Sequence, residues 1–172
     1  QICRVSYRVS IHYPTIRNNS ETAKILKEKG ISFKWYFVGE GSERQNIEAL
    51  ISKYQLQDHV ILLGMKANPY PYMAGCDIYV QTSSFEGFGL TLCEARLLHK
   101  PEVSTNFPVV YNQIQDGVNG LIAEMNAESV AEKITVLMTD HTLRESFIQE
   151  TMKEVNNTSI TESKKVNTLL LS

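Results

Sequence analysis

Cysteine, long hydrophobic runs and any excess of one charge are what this sequence has least of. Its 3 cysteines, Cys3, Cys76 and Cys93, are odd in number and spaced neither as a disulfide framework nor as a zinc site, a pattern that suits a reducing cytoplasm. No apolar stretch approaches the roughly 20 residues that span a bilayer, and Gln1 to Ser10 lack the apolar segment of a signal peptide. With 17 Lys and Arg against 19 Asp and Glu, the net charge is -2, which gives no field to gather a phosphate backbone or anionic lipid. The expectation is a cytoplasmic protein with no membrane span and no nucleic-acid partner. What is present, 42% hydrophobic and 21% charged residues over 172 positions, is the composition of a soluble globular chain of one domain. A large multidomain enzyme does not fit in this length.

Hydrophobic periodicity supplies the elements. Ile2 to Ile11 alternates with period two, as a strand does. Asn18 with Glu21 reads as a capping box opening a helix that stops at Gly30. Phe33 to Val38 is a β-rich run ended by Gly39-Glu40-Gly41-Ser42. Ile47, Leu50, Ile51 and Tyr54 fall on one helical face. Val60 to Leu63 and Ile78 to Val80 are short continuous apolar runs, expected of parallel strands buried on both faces. Between them Tyr70, Pro71 and Tyr72 read as a short buried helix within a turn-rich linker. Further strands are expected at Val103-Ser104 and Leu121 to Ala123, and helices at Leu90 to Leu98, Ser129 to Met138 and Thr142 to Val155. There is no internal repeat, low-complexity tract or interdomain linker. Alternating strands and helices imply an α/β fold, a doubly wound, Rossmann-like parallel sheet with helices on both faces.

In such sheets ligands sit beyond the carboxyl ends of the strands. Gly39-Glu40-Gly41-Ser42 reads equally as a structural turn and as a ligand loop. Ser83-Ser84-Phe85-Glu86-Gly87-Phe88-Gly89-Leu90-Thr91-Leu92-Cys93-Glu94 is more specific. Two glycines flank Phe88 at a helix N-terminus, so backbone N–H groups can converge on a phosphate. Glu94 lies about one turn into the helix and Glu86 on the loop before it, bracketing that anion site. A carboxylate is a natural acceptor for a ribose diol, and a nucleotide sugar has hydroxyl-rich groups on both sides of its diphosphate. The plainer reading makes Glu94 a first-turn acid favoured by the helix dipole and Glu86 a solvated loop charge.

These residues resemble the donor-site signature of the family 4 retaining glycosyltransferases of GT-B fold. Phe37-Val38-Gly39-Glu40-Gly41, Val60 to Gly64, Cys76 to Val80 and Asp116 to Leu121 match in the same order, so the resemblance covers about Ala23 to Met138. It implies one nucleotide-sugar-binding domain over 1–172, with 1–20 atypical and 156–172 a tail. It further implies that Glu94 binds the ribose hydroxyls and that Glu86 is the catalytic carboxylate facing the donor sugar. Gly87, Phe88, Gly89, Leu90 and Thr91 would hold the sugar and diphosphate, Gly39 and Gly41 the opposite wall, and Leu63, Gly64 and Met65 the base. The implied reaction moves a hexose from a nucleoside diphosphate to a saccharide or lipid-linked acceptor with retention, in polysaccharide or glycoconjugate biosynthesis. It would use no metal or cofactor besides the donor, and an N-terminal acceptor domain for which these residues leave no room.

The chain departs from the pattern where the family carries an Arg and a Lys against the diphosphate: Val9 and Pro14 stand there, with Arg8 and Arg17 as near misses. That keeps open a donor-binding module or remnant without transferase activity, whereas the paired glutamates argue against a nucleotide-sugar epimerase. Glu102 stands where the family is apolar and is expected at a strand end with its carboxylate in solvent. His12, His59, His99 and His141 sit in no ligand spacing and read as surface or capping residues.

Overall fold

The structure, a computed structural model, describes residues 3–8, 13–41 and 43–157. Six strands, β1 (Cys3–Arg8), β2 (Phe33–Val38), β3 (Val60–Gly64), β4 (Ile78–Gln81), β5 (Glu102–Thr105) and β6 (Gly120–Ala123), form one sheet in the order β3-β2-β1-β4-β5-β6. Every pairing is parallel. The helices are α1 (Tyr13–Glu28), α2 (Arg44–Lys53), α3 (Tyr70–Ala74), α4 (Leu90–Leu97), α5 (Ala127–Thr139) and α6 (His141–Asn157), with a 3-10 turn at Pro108–Asn112. This is the expected doubly wound α/β fold. No described helix is long and apolar enough to cross a membrane.

Both faces carry a core. Ile78 and Val80 of β4 face one cluster with Leu26, Trp35, Ile51 and Val130, while Tyr79 between them faces a second with Leu92, Phe107 and Ile114. The alternation of side chains along a strand thus serves both layers.

Several expectations need correction. The capping box does not form, because Asn18 and Glu21 lie inside α1, which begins at Tyr13. Pro14 suits a first helical turn, where its missing N–H costs nothing. The buried face of α1 runs Asn19, Thr22, Ala23, Leu26 at helical spacing. Two of its members are polar, so hydrophobicity alone conceals it. Thr22 Oγ donates to the Ala127 carbonyl at 3.3 Å, and Thr82 Oγ donates to Asn19 Oδ1 at 2.6 Å. The strand expected to reach Ile11 is described only to Arg8; Val9 to His12 lie outside the described residues, as does the tail from residue 158.

β3 is an edge strand with only Val60 buried, not a strand covered on both faces. α3 forms as expected, but Met73 is its one buried residue. Tyr72 is exposed. Glu102 is not in solvent: it is 1% exposed, because β5 lies between β4 and β6 with α4 and α5 packed on it. Among the histidines, His99 ends α4 with φ +54 and His141 begins α6. His59 instead stacks on Phe33 with ring centroids 4.7 Å apart, and His12 is outside the described residues.

Candidate functional site

The order of the strands reverses between β1 and β4, and in sheets of this kind that crevice at the carboxyl edge receives the ligand. The loop leaving β4 delivers the motif residues there. Gly89 caps α4 at φ +74, a left-handed conformation that costs any other L-residue about 1–2 kcal/mol. The turn leaves the first N–H groups of α4, from Leu90 and Thr91, facing outward beside Gly87 and Phe88. Gln113 clamps the loop from below: its Nε2 donates to the Phe88 carbonyl at 3.0 Å. Its Oε1 accepts from Arg96 at 2.6 Å and from Cys93 Sγ at 2.9 Å. Phe85, Phe88 and Leu90 leave 67%, 64% and 61% of their surface exposed, so this loop presents apolar side chains beside its polar ones.

Glu86 and Glu94 stand on the two sides of this turn. Glu86 Oε1 accepts from Ser83 Oγ at 2.6 Å and from Gln81 Nε2 at 3.0 Å. Thr91 Oγ donates to Gln81 Oε1 at 2.6 Å, which links the helix start to the strand end. Thr105 Oγ donates to the Ser83 carbonyl at 2.5 Å and so fixes the loop to β5. Glu94 is only 9% exposed, and Tyr70 OH from α3 donates to its Oε1 at 3.0 Å. Each carboxylate is thus held by side chains of a different element.

The remaining candidate glycines lie on the other side of β1, Gly39 and Gly41 after β2 and Gly64 at the end of β3. Gly39 N–H donates to the Gly64 carbonyl at 2.9 Å, which ties the β2 and β3 loops together. Gly64 has φ +71, and a Cβ there would meet Glu40 Oε1 at 2.9 Å. The left-handed backbone is what favours glycine there, since the Glu40 carboxylate is the end of a flexible side chain that can move aside. Gly39 and Gly41 line a depression together with Phe37, Ile47 and Leu62 and the charged Glu40, Glu43 and Arg44. Beyond Gly64, Met65 is 75% exposed. Both glycine groups lie at or beyond the carboxyl ends of their strands, on opposite sides of β1. Of the positions lacking the expected cations, Val9 is outside the described residues and Pro14 lies in α1.

Burial pushes the Cys93 thiol up, outweighing the lowering by Arg96, a shift that disfavours the thiolate. Burial and Lys100 both push His99 down. Tyr70, Gln81, Ser83 and Gln113 escape sequence reasoning. The visible hint is that Gln81 is the one polar residue closing the apolar run Ile78-Tyr79-Val80.

Residues 15–154 match the glycosyl transferases group 1 family. A poly(ribitol-phosphate) alpha-N-acetylglucosaminyltransferase of Staphylococcus aureus is 30% identical over 83% of this chain and 29% of that protein. The chain spans about a third of the length of the curated relatives it matches. Among solved structures, a mutant of S. aureus TarM in complex with fondaparinux, alpha-GlcNAc-glycerol and UDP superposes with a TM-score of 0.84. It is 27% identical over 98% of this chain and 35% of that one. The C-terminal domain of LpcC, a group 1 family protein of Francisella tularensis, has a TM-score of 0.78 at 24% identity, covering 91% of this chain and 85% of that domain. The match to residues 15–154 reaches into the stretch before Ser20 that looked atypical.

Proposed function

The chain belongs to the group 1 glycosyl transferases, and from that membership we propose that its crevice binds a nucleoside diphosphate sugar for transfer of the hexose to a saccharide or lipid-linked acceptor. The observation that carries this reading is the placement of Glu86 and Glu94 on either side of the Gly87–Gly89 turn, at the switch point of the sheet. The charges match the chemistry. Glycosyl transfer with retention builds positive charge on the sugar ring and negative charge on the departing diphosphate. Glu86 is a carboxylate on the sugar side. The Gly87 to Thr91 backbone, heading α4, offers N–H groups to the phosphates. Glu94, held by Tyr70, accepts from the ribose diol, while the Leu63-Gly64-Met65 segment borders the base. The relatives support the class of donor: one is named for N-acetylglucosaminyl transfer, and the TarM structure holds UDP. An acceptor-binding domain, as the GT-B family resemblance implies, completes the proposed enzyme.

Titration calorimetry with UDP and GDP tests the site. Binding by the chain, weakened about 10- to 100-fold by Glu94→Ala as two charge-assisted hydrogen bonds are lost, is the expected outcome. Absence of binding at millimolar nucleotide, or binding indifferent to Glu94→Ala, removes the assignment. A second reading, a donor-binding module without transfer, is favoured by Val9 and Pro14 in place of the family's Arg and Lys. Binding without slow donor hydrolysis, even beside a supplied acceptor domain, would select it.

A further inference from the structure

Gln81 closes β4 with its side chain 3% exposed, between a carboxylate and the first turn of α4. Its amide orientation follows from its neighbours. An ionised carboxylate only accepts, so the nitrogen must face Glu86 Oε1 at 3.0 Å. The amide oxygen then faces Thr91, whose hydroxyl must donate to it at 2.6 Å. The second amide N–H points to Ser83 Oγ at 3.4 Å, and the Ser83 proton goes to Glu86 at 2.6 Å. Every proton in the network therefore runs one way, from Thr91 through Gln81 and Ser83 to a single oxygen of Glu86.

From this ordering we infer that Gln81 is the positioning residue of the sugar-side carboxylate, acting with Ser83. Two donors on Oε1 fix the plane of the Glu86 carboxylate and leave Oε2 for the ligand. The network also settles what Thr91 can offer. Its hydroxyl proton is committed to Gln81, so Thr91 meets a ligand as an acceptor, suited to a sugar hydroxyl, and leaves the phosphates to backbone N–H groups. Burial strengthens the arrangement, because Gln81 and Ser83 are both shielded from water that would compete for Glu86. This inference rests on the proposed donor site and names the part of it that senses the sugar rather than the nucleotide.

The test compares bare and sugar-bearing ligands on the full chain, using UDP, UDP-glucose, UDP-N-acetylglucosamine, GDP and GDP-mannose in calorimetry. Gln81→Met keeps length and removes both amide functions. Expected is unchanged affinity for the bare nucleotide and about a tenfold drop in affinity for the sugar conjugate, the size of one lost hydrogen bond to a charged group. In a Glu86→Gln background, Gln81→Met should add nothing further, since it acts through that carboxylate. Equal losses for bare nucleotide and conjugate, no loss for either, or an additive loss in the double variant each overturn the inference while the donor site stands. A wild-type chain that binds none of the ligands overturns the donor site and this inference together. If Gln81→Met does not fold, Ser83→Ala removes the shorter of the two bonds and must show the same selective loss.

Discussion

Glu102 begins β5 with its carboxyl group among groups that pull in opposite directions. Burial raises its pKa well above the usual carboxylate range and Glu154 adds to this, while the Arg96 guanidinium lowers it. Its Oε1 has no hydrogen-bond partner. An unfolded Glu titrates near about 4.3, so above that pH the folded state retains a proton that the unfolded state has released. Stability therefore falls as pH rises from the unfolded value toward the folded one. Glu102→Gln is expected to melt higher than wild type at pH 7, with the gap closing as pH drops toward 4. Melting curves across that range check it; a gap independent of pH refutes the assignment. Arg96 is not stranded by the change, because it keeps the Gln113 carbonyl at 2.7 Å and Glu154 at 3.7 Å. At this scale the sequence reads unevenly. Glu86 and Glu94 stand out through their spacing around two glycines. Gln81, Ser83 and Gln113 do not, since a single amide or hydroxyl has no period, and Glu102 misleads because its burial is imposed by neighbouring strands.

Two helix starts show how elements divide the labour. α5 opens on Asn126, whose Oδ1 accepts from Ser129 N at 2.8 Å, a side-chain cap. α4 opens on Gly89 with no side-chain cap at all, which keeps its N–H groups available to a ligand. Asn126→Ala should cost about 1 kcal/mol of stability and leave nucleotide affinity unchanged. Gly89→Ala should cost a similar amount from its left-handed backbone and also weaken nucleotide binding. The space around Gly89 is ordinary, with Gln113 Cγ 3.5 Å from an added Cβ, so the penalty is conformational. Thermal melts and titrations on both variants separate the two roles. The start of α1 was the element least legible in sequence. Its buried face contains Asn19 and Thr22, and an inward polar face is invisible to a method that looks for apolar stripes. By contrast β2 and α2 were plain, since their apolar residues alone define the buried side.

Strand order is a property of the whole molecule that periodicity does not encode; alternation of elements indicates a parallel sheet but not which strands are neighbours. The order found places β4 at the centre beside β1, and so places the paired carboxylates in the crevice rather than at an edge. A ligand that binds only this assembled state stabilises it by mass action. At a hundred times its dissociation constant, nucleotide should add about 2.7 kcal/mol, raising the melting temperature of a chain of this size by roughly 5–10 °C. Glu94→Ala should abolish that rise, and a rise that survives it would place the nucleotide elsewhere.

The pairing of β1 with β4 also sets an order in time. Val5 lies against Ile78, so this contact closes a loop containing α1, β2, α2, β3 and α3, and distant pairings of this kind are the slow ones in folding. Hairpin-like local structure cannot build the crevice in advance. The capacity to hold a ligand requires that long-range closure, so recovery of binding during refolding reports on the pairing of β1 with β4.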